Sequence, residues 1–278
     1  MSASDIDDTG PEEPGQTAYV APPVQRAIRL LRHIADGETV ANMSRAAEKL
    51  GINRTTLVRL LHTLESERFI EKLPAGGYRI GLGLVGLAAK SSYSQDLVQT
   101  ALPIVTRLAE HTGLSAHLGL LDGTEALYVA RQSPSVPLAS NLKVGHRIPA
   151  HATTLGRIIL AYRTKADVEA LYSGKALARF TGKTPANMDD LHKVLAQERA
   201  TGVAWSSSYY AEGVSSLAAA IFDANGEAVA AINVAGPSAL FDEGQGRRER
   251  IATAVRAAAR EISQRLGLPA DGFSSRAG

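Results

Sequence analysis

The sequence predicts an α+β protein with two parts: an N-terminal winged helix-turn-helix and, after a linker helix, a larger α+β domain with an antiparallel sheet. Three observations predict it. Three short amphipathic segments precede a compact hairpin pattern between Val24 and Ile80. Alternating segments later flank the turn signals Asp122-Gly123 and Asp223-Ala224-Asn225-Gly226. A chain of 278 residues is comfortable for two domains and long for one core.

The first helix is read from Val24, Ala27, Ile28, Leu31, Ile34 and Ala35, which mark one face and end at Asp36-Gly37. A second helix fits Ser44 to Leu50, with Ser44 as N-cap, and Gly51-Ile52 makes a tight turn. Asn53 then caps a third helix, whose Leu57, Leu60, Leu61 and Leu64 share one face. Phe69–Leu73 and Tyr78–Ile80 read as strands around the Pro74–Gly77 turn. Leu84–Lys90 reads as a linker helix, and Gln95–Thr112 as a longer one with Leu97, Ala101, Ile104, Val105 and Leu108 inward. Strands are expected at Ser115–Leu121, Glu125–Arg131, Ser216–Phe222 and Glu227–Ala235, and helices at Thr153–Arg163, Asp189–Ala200 and Glu243–Leu266. The expected organisation is an acidic disordered tail (1–22), a winged helix-turn-helix (23–82), a linker helix (83–94), an α+β domain (95–268) and a flexible tail (269–278).

Charge points to a polyanionic partner for the front module. Residues 24–92 hold eleven Lys/Arg against six Asp/Glu, whereas the acidic stretch before them has no basic residue. The third helix has Arg54, Thr55, Thr56 and Arg59 near its N-terminus, the part that enters the major groove in a helix-turn-helix. Arginine pairs with guanine through two hydrogen bonds, and threonine hydroxyls suit bases or phosphates. The expected DNA contacts are therefore Arg26, Arg45, Asn53, Arg54, Thr55, Thr56, Arg59, Lys72 and Arg79.

Other chemistries are weakly supported. Gly81-Leu82-Gly83-Leu84-Val85-Gly86 satisfies a dinucleotide-binding pattern, but it follows a three-residue hairpin strand, and no βαβ unit contains it. Cysteine is absent, which excludes disulfides and thiolate metal sites. His146 and His151 lie five apart and His117 could approach them, yet the spacing matches no helix-face pair, so no metal or other cofactor is expected. There is no G-x-S-x-G elbow, P-loop or H-E-x-x-H, and Ser215-Ser216 has no assignable base. An enzyme is not expected. The alternatives are a hydrolase or other small-molecule enzyme fused to a DNA-binding domain, or an interaction module with a filled core. No apolar run approaches the roughly 20 residues of a membrane helix. The opening M-S-A-S-D-I-D-D lacks the basic and apolar regions of a signal peptide, so cytoplasmic residence without a membrane partner is expected.

Several separated motifs resemble the IclR family of bacterial transcriptional regulators, from Val24 to Gly267. They are V-Q-R-A-I-R-L-L, S-R-A-A-E-K-L-G-I-N-R-T-T-L-V-R-L-L-H-T-L-E, G-G-Y-R-I-G, G-H-R-I-P-A-H-A-T-T-L-G-R, E-G-V-S-S-L-A-A-A-I-F-D and A-A-I-N-V-A-G-P. The resemblance implies a GAF/PAS-like effector-binding domain, homodimers or homotetramers, and (pseudo)palindromic double-stranded DNA operators. It implies a ligand-responsive regulator, most often a repressor of a nearby catabolic operon. The effector it implies is a small organic acid, aromatic acids included, or a related metabolite. By motif position it places Ile148, Thr154, Leu155, Val214, Ser216, Asn233 and Ala235 around the ligand, together with Ser140 and Ser206. Thr153 and Thr154 would lie in the first turn of a helix, where free N–H groups favour an anion, or serve only as caps. Two departures bear on the ligand. Acidic residues common in the family between Trp205 and Glu212 are reduced to Glu212, which argues against a strongly cationic ligand, and Ser216 stands where a Cys is frequent. Trp205, Tyr209 and Tyr210 would favour an aromatic ring if they face the cavity.

Overall fold

The computed structural model describes residues 20–88, 92–134, 142–242 and 246–269. Residues 1–19 and 270–278 of the two expected tails lie outside them, as do Lys90 of the expected linker helix and Ser140. The chain divides into two compact units, up to Ser92 and from Tyr93.

The first unit holds α1 (Pro22–Ala35), α2 (Met43–Leu50), α3 (Arg54–Ser66), β1 (Ile70–Lys72), β2 (Tyr78–Ile80) and α4 (Leu82–Ala88). Leu30 and Ile34 of α1 meet Leu57, Leu61 and Leu64 of α3 and Ile70 of β1 in one core. Burying each such side chain contributes on the order of 2 kcal/mol. Two expectations need correction here. The buried edge of α1 is Leu30 and Ile34, one turn apart, while Val24 and Ile28 are 57% and 43% exposed. A core this small covers only part of a broad apolar stripe. The cap of α2 is Asn42, whose side chain accepts the Arg45 N–H at 3.0 Å; Ser44 lies inside the first turn. The β1–β2 hairpin pairs Ile70 with Ile80 and Lys72 with Tyr78.

α4 begins two residues before the expected linker helix, and the glycines of the dinucleotide-like pattern explain the step. A Cβ at Gly81 or Gly83 would sit 2.4 and 2.7 Å from the Arg68 carbonyl oxygen. Both backbone N–H groups donate into the turn after α3, to Phe69 O and Arg68 O at 2.8 Å. These glycines let the chain leave the wing against backbone, a structural use that involves no phosphate.

The second unit runs α5 (Ser92–Thr112), β3 (Ser115–Asp122), β4 (Glu125–Gln132), β5 (Arg147–Pro149), a 3-10 turn at Ala150–Ala152, α6 (Thr154–Leu160), α7 (Lys165–Tyr172), α8 (Met188–Thr201), β6 (Ala204–Ser207), β7 (Val214–Phe222), β8 (Ala228–Pro237), α9 (Ala239–Asp242) and α10 (Arg247–Arg265). Its six strands form one antiparallel sheet in the order β5-β4-β3-β8-β7-β6. Alternation sends Leu217, Ala219 and Ile221 of β7 to a core shared with α5 and α10. Ala218, Ala220 and Phe222 go to a second core around Leu155, Ile158 and Ile159 of α6. The inward residues expected for α5, from Leu97 to Leu108, are all buried.

Small residues bring α6 close to the 3-10 turn and to the sheet. A Cβ at Gly156 would lie 2.3 Å from Ala150 Cα, and one at Gly119 would meet Leu155 Cδ1 at 2.8 Å. β5, α7 and β6 had no counterpart in the expected elements; each is short, at three, eight and four residues, too short to set a clear period. The helix expected over Glu243–Leu266 is observed as Arg247–Arg265, preceded by α9, with 243–245 outside the described residues.

Candidate functional site

The polar end of α3 is built by its cap. Asn53 Oδ1 accepts the Thr56 N–H at 2.7 Å, which fixes the first turn. With the leucines committed to the core, Arg54, Thr55 and Arg59 are exposed, and Thr56 is half-buried. Arg45 and Lys72 are also exposed, and Arg26 is half-buried on α1. Arg45, Arg54, Arg59 and Lys72 have no acidic partner within ion-pair distance among the described residues. Arg79 differs: its Nη2 donates to Glu71 Oε2 at 2.8 Å. This bond, then the Leu82 N–H, holds the Glu71 carboxyl below its ordinary range. The wing's uncompensated charge is therefore Lys72.

In the second unit, seven of the nine residues expected around a ligand line one cavity: Ile148, Thr154, Ser206, Val214, Ser216, Asn233 and Ala235. Sheet register brings them together. Ser206 pairs with Ser216 across β6 and β7, and Ser216 pairs with Ala235 across β7 and β8. The cavity measures about 60 Å³. Leu155 does not line it and packs in the α6 core, because its place in the first turn of α6 turns it toward Gly119. Thr153 and Tyr210, each considered for the site on the sequence, line it too, and Tyr128 lines it without having been considered. Tyr128 was legible only as an inward position of an alternating strand. The three aromatic residues of the 205–210 stretch separate. Tyr210 faces the cavity, Trp205 packs on Phe241 with Arg248 stacked at 3.9 Å, and Tyr209 lies under Arg157 at 4.5 Å.

The lining is wired by hydrogen bonds. His117 Nδ1 meets Asn233 Oδ1 at 2.9 Å, Asn233 Nδ2 donates to Thr154 Oγ1 at 3.4 Å, and Thr154 Oγ1 meets Ser216 Oγ at 3.0 Å. Ser206 Oγ accepts the Tyr209 N–H at 3.3 Å. Burial pushes His117 down to about 4; the Asn233 bond opposes this and Arg131 adds to it. The imidazole is neutral at pH 7. Burial likewise raises the Tyr128 phenol, so it remains a hydroxyl. Thr153 is the N-cap of α6, its Oγ1 accepting the Gly156 N–H at 3.1 Å. α6 has only seven residues, so the anion-favouring helix terminus reduces to a short, capped turn.

One buried ion pair supports the cavity wall. Arg157, fully buried on α6, approaches Glu198 Oε1 of α8 at 2.7 Å and donates to the Trp205 carbonyl of β6 at 2.9 Å. Burial raises the Glu198 carboxyl, and the Arg157 guanidinium pulls it back. Reading the sequence missed this pair, although Arg157 closes the H-A-T-T-L-G-R motif. The three histidines considered for a metal are engaged separately: His117 on Asn233, His151 Nε2 on the Ala178 carbonyl and His146 Nδ1 on the Lys143 N–H.

The family model for the C-terminal domain of the bacterial transcriptional regulator IclR matches residues 89–264, and the IclR helix-turn-helix model matches 23–74. The chain belongs to the IclR family. It is similar to the HTH-type transcriptional regulator XynR of Escherichia coli, with 30% identity over 89% of this chain and 98% of that one. It is 34% identical to the glycerol operon regulatory protein of Streptomyces coelicolor over 88% and 96% of the two chains. Among solved structures, an IclR homolog from Microbacterium hydrocarbonoxydans complexed with 4-hydroxybenzoate superposes with a TM-score of 0.77 at 24% identity, covering 88% of this chain and 98% of that one. This IclR-family chain is thus a DNA-binding, ligand-responsive transcriptional regulator. No helix among the described residues is long and apolar enough to cross a membrane.

Proposed function

We propose that this regulator represses a nearby catabolic operon, reading its operator with the N-terminal end of α3 and releasing it when a small organic acid occupies the cavity behind β6–β8. The support for the ligand reading is the convergence of Thr154, Ser206, Ser216 and Asn233, from α6 and three strands, on one partly open cavity. At about 60 Å³ the space is small and partly open, so a larger effector must extend beyond it or displace part of the lining. Tyr210, 40% exposed and resting on Phe180 at 4.8 Å, and Val214, 42% exposed, form the loosely packed side of the wall. The repressor sign draws support from the similarity, 28% identity over 92% of this chain, to the E. coli repressor AllR. An aromatic acid draws support from the 4-hydroxybenzoate held by the homolog above. Base contacts fall to Arg54, Thr55 and Arg59; Arg26, Arg45 and Lys72 serve phosphates, with Asn53 and Thr56 shaping the helix end. A homodimer or homotetramer in the cytoplasm would match two operator half-sites.

The experiment combines operator binding with thermal-shift titration against small acids. Arg59→Ala is expected to weaken operator affinity by about 1–3 kcal/mol, the range of one bidentate base contact, while leaving ligand-induced stabilisation intact. Thr154→Val is expected to abolish the ligand response with operator affinity unchanged. Equal loss of both functions in Arg59→Ala would misplace the reading helix. A normal ligand response in Thr154→Val would remove the cavity from effector binding, and turnover of an acid would favour an enzyme.

A further inference from the structure

The cavity's hydrogen bonds have a direction, and a residue outside the cavity sets it. His117 is fully buried on β3, and its Nε2 has no partner among the described residues. A neutral imidazole carries one N–H. A buried N–H left unpaired is rarer than an unpaired acceptor, so the proton belongs on Nδ1, the nitrogen that faces Asn233 at 2.9 Å. Nδ1–H then donates to Asn233 Oδ1, which orients the amide so that Nδ2 donates to Thr154 Oγ1. Thr154 Oγ1 accepts that bond and keeps its one hydroxyl hydrogen, which is free to be donated to Ser216 Oγ at 3.0 Å. In that direction Ser216 accepts and keeps its own O–H for the cavity. Its cross-strand neighbour Ser206 reaches the same condition independently: Ser206 Oγ accepts the Tyr209 N–H, and its O–H remains to donate.

We infer that His117 is a positioning residue that turns the chain His117–Asn233–Thr154–Ser216 into a one-way relay, so that Ser216 and Ser206 present paired hydroxyl donors to the effector. The group read there carries two adjacent acceptors and no hydrogen, as a carboxylate does. The inference rests on the effector-cavity reading above and sharpens it. An acid is bound because its two oxygens match two donors, with no cationic side chain in the described lining. A carboxamide of the same shape substitutes a donor for one acceptor and meets a hydroxyl already pointing at it. Reversing the relay would make Ser216 an acceptor and erase that discrimination.

The test uses the full chain and has two arms. In ligand-free protein with 15N-labelled histidine at pH 7, NMR is expected to show His117 protonated at Nδ1 alone. The second arm titrates benzoate against benzamide, and pyruvate against pyruvamide, into the wild type and two variants. The wild type is expected to prefer each acid at least tenfold. His117→Asn, which keeps an N–H where Nδ1 stood, is expected to retain the preference. His117→Phe frees Asn233 to turn over and is expected to lose most of it while still unfolding cooperatively. If His117→Phe fails to fold, the tautomer and the His117→Asn preference decide. An Nε2-protonated ring, or an unchanged acid preference in folded His117→Phe, overturns the relay. An Nδ1-protonated ring with saturable binding of neither acid overturns the cavity assignment instead.

Discussion

α3 and α6 begin alike and end in opposite environments. Each is opened by a side-chain cap, Asn53 onto Thr56 and Thr153 onto Gly156. Of the 13 residues of α3, three are buried; of the seven of α6, all are. The first helix can therefore display arginines to a partner, while the second must neutralise its one arginine internally. The same residue type stands in solvent on α3 and is a structural tie on α6. What separates them is how much of the helix surface other elements cover.

The sharpest way to break this comparison is to remove the buried arginine. Arg157→Ala strips the buried Glu198 carboxyl of its cation, so that it must stay charged in a dry interior or take up a proton, and breaking such a pair typically costs about 3–5 kcal/mol. Thermal unfolding of the second unit is expected to fall accordingly. A change as small as that of an exposed arginine would show that α6 is wetter than its packing indicates.

A second prediction concerns pH. His117 is held neutral down to about 4, whereas in the unfolded chain it takes up a proton near its ordinary value of 6.5. Above that value both states are neutral and the group contributes nothing. As pH falls from about 6.5 toward 4, only the unfolded state gains the proton, so stability declines, by roughly 3 kcal/mol in full. Arg131 faces the ring and adds to the effect, and the Asn233 bond opposes it. Melting curves of wild type and His117→Asn should diverge at pH 7 by a constant that shrinks as the pH is lowered to 4. Parallel curves would mean that the ring is not desolvated.

The smallest expected effect is at the shared cap. Asn53→Ala removes one hydrogen bond at an exposed helix start, worth about 1 kcal/mol. Denaturation of the first unit, read by helix signal, checks it. A larger loss would make the cap part of the core rather than its edge.

The same contrast explains which parts were legible in the sequence. α3 was read correctly to its cap because its leucines alternate with solvated residues at the helical period. The start of α6 was legible from Thr153, but its interior has no polar face to set a period, and the segment was drawn three residues too long. Arg157 and Glu198 stand 41 residues apart and meet only because α8 packs on α6. His117 and Asn233 are 116 residues apart and adjacent only through the pairing of β3 with β8. Family motifs supplied seven cavity positions that spacing alone could not, and they gave no hint of the His117 behind them. The misread face of α1 has a simpler cause: Val24 and Ile28 are apolar and at helical spacing, yet this unit's own core does not reach them.

The ladder that seats Ser206 beside Ser216, and Ser216 beside Ala235, is a main-chain pairing set by register. Its three inward positions behave like interchangeable keys on a fixed keyboard. Exchanging one for a residue of similar bulk leaves every rung in place, so a single codon can alter the lining of this chamber without refolding the sheet. Sliding β6 by one residue would instead bring Trp205 into the chamber and turn Ser206 away from it, which keeps innovation confined to exchange of side chains.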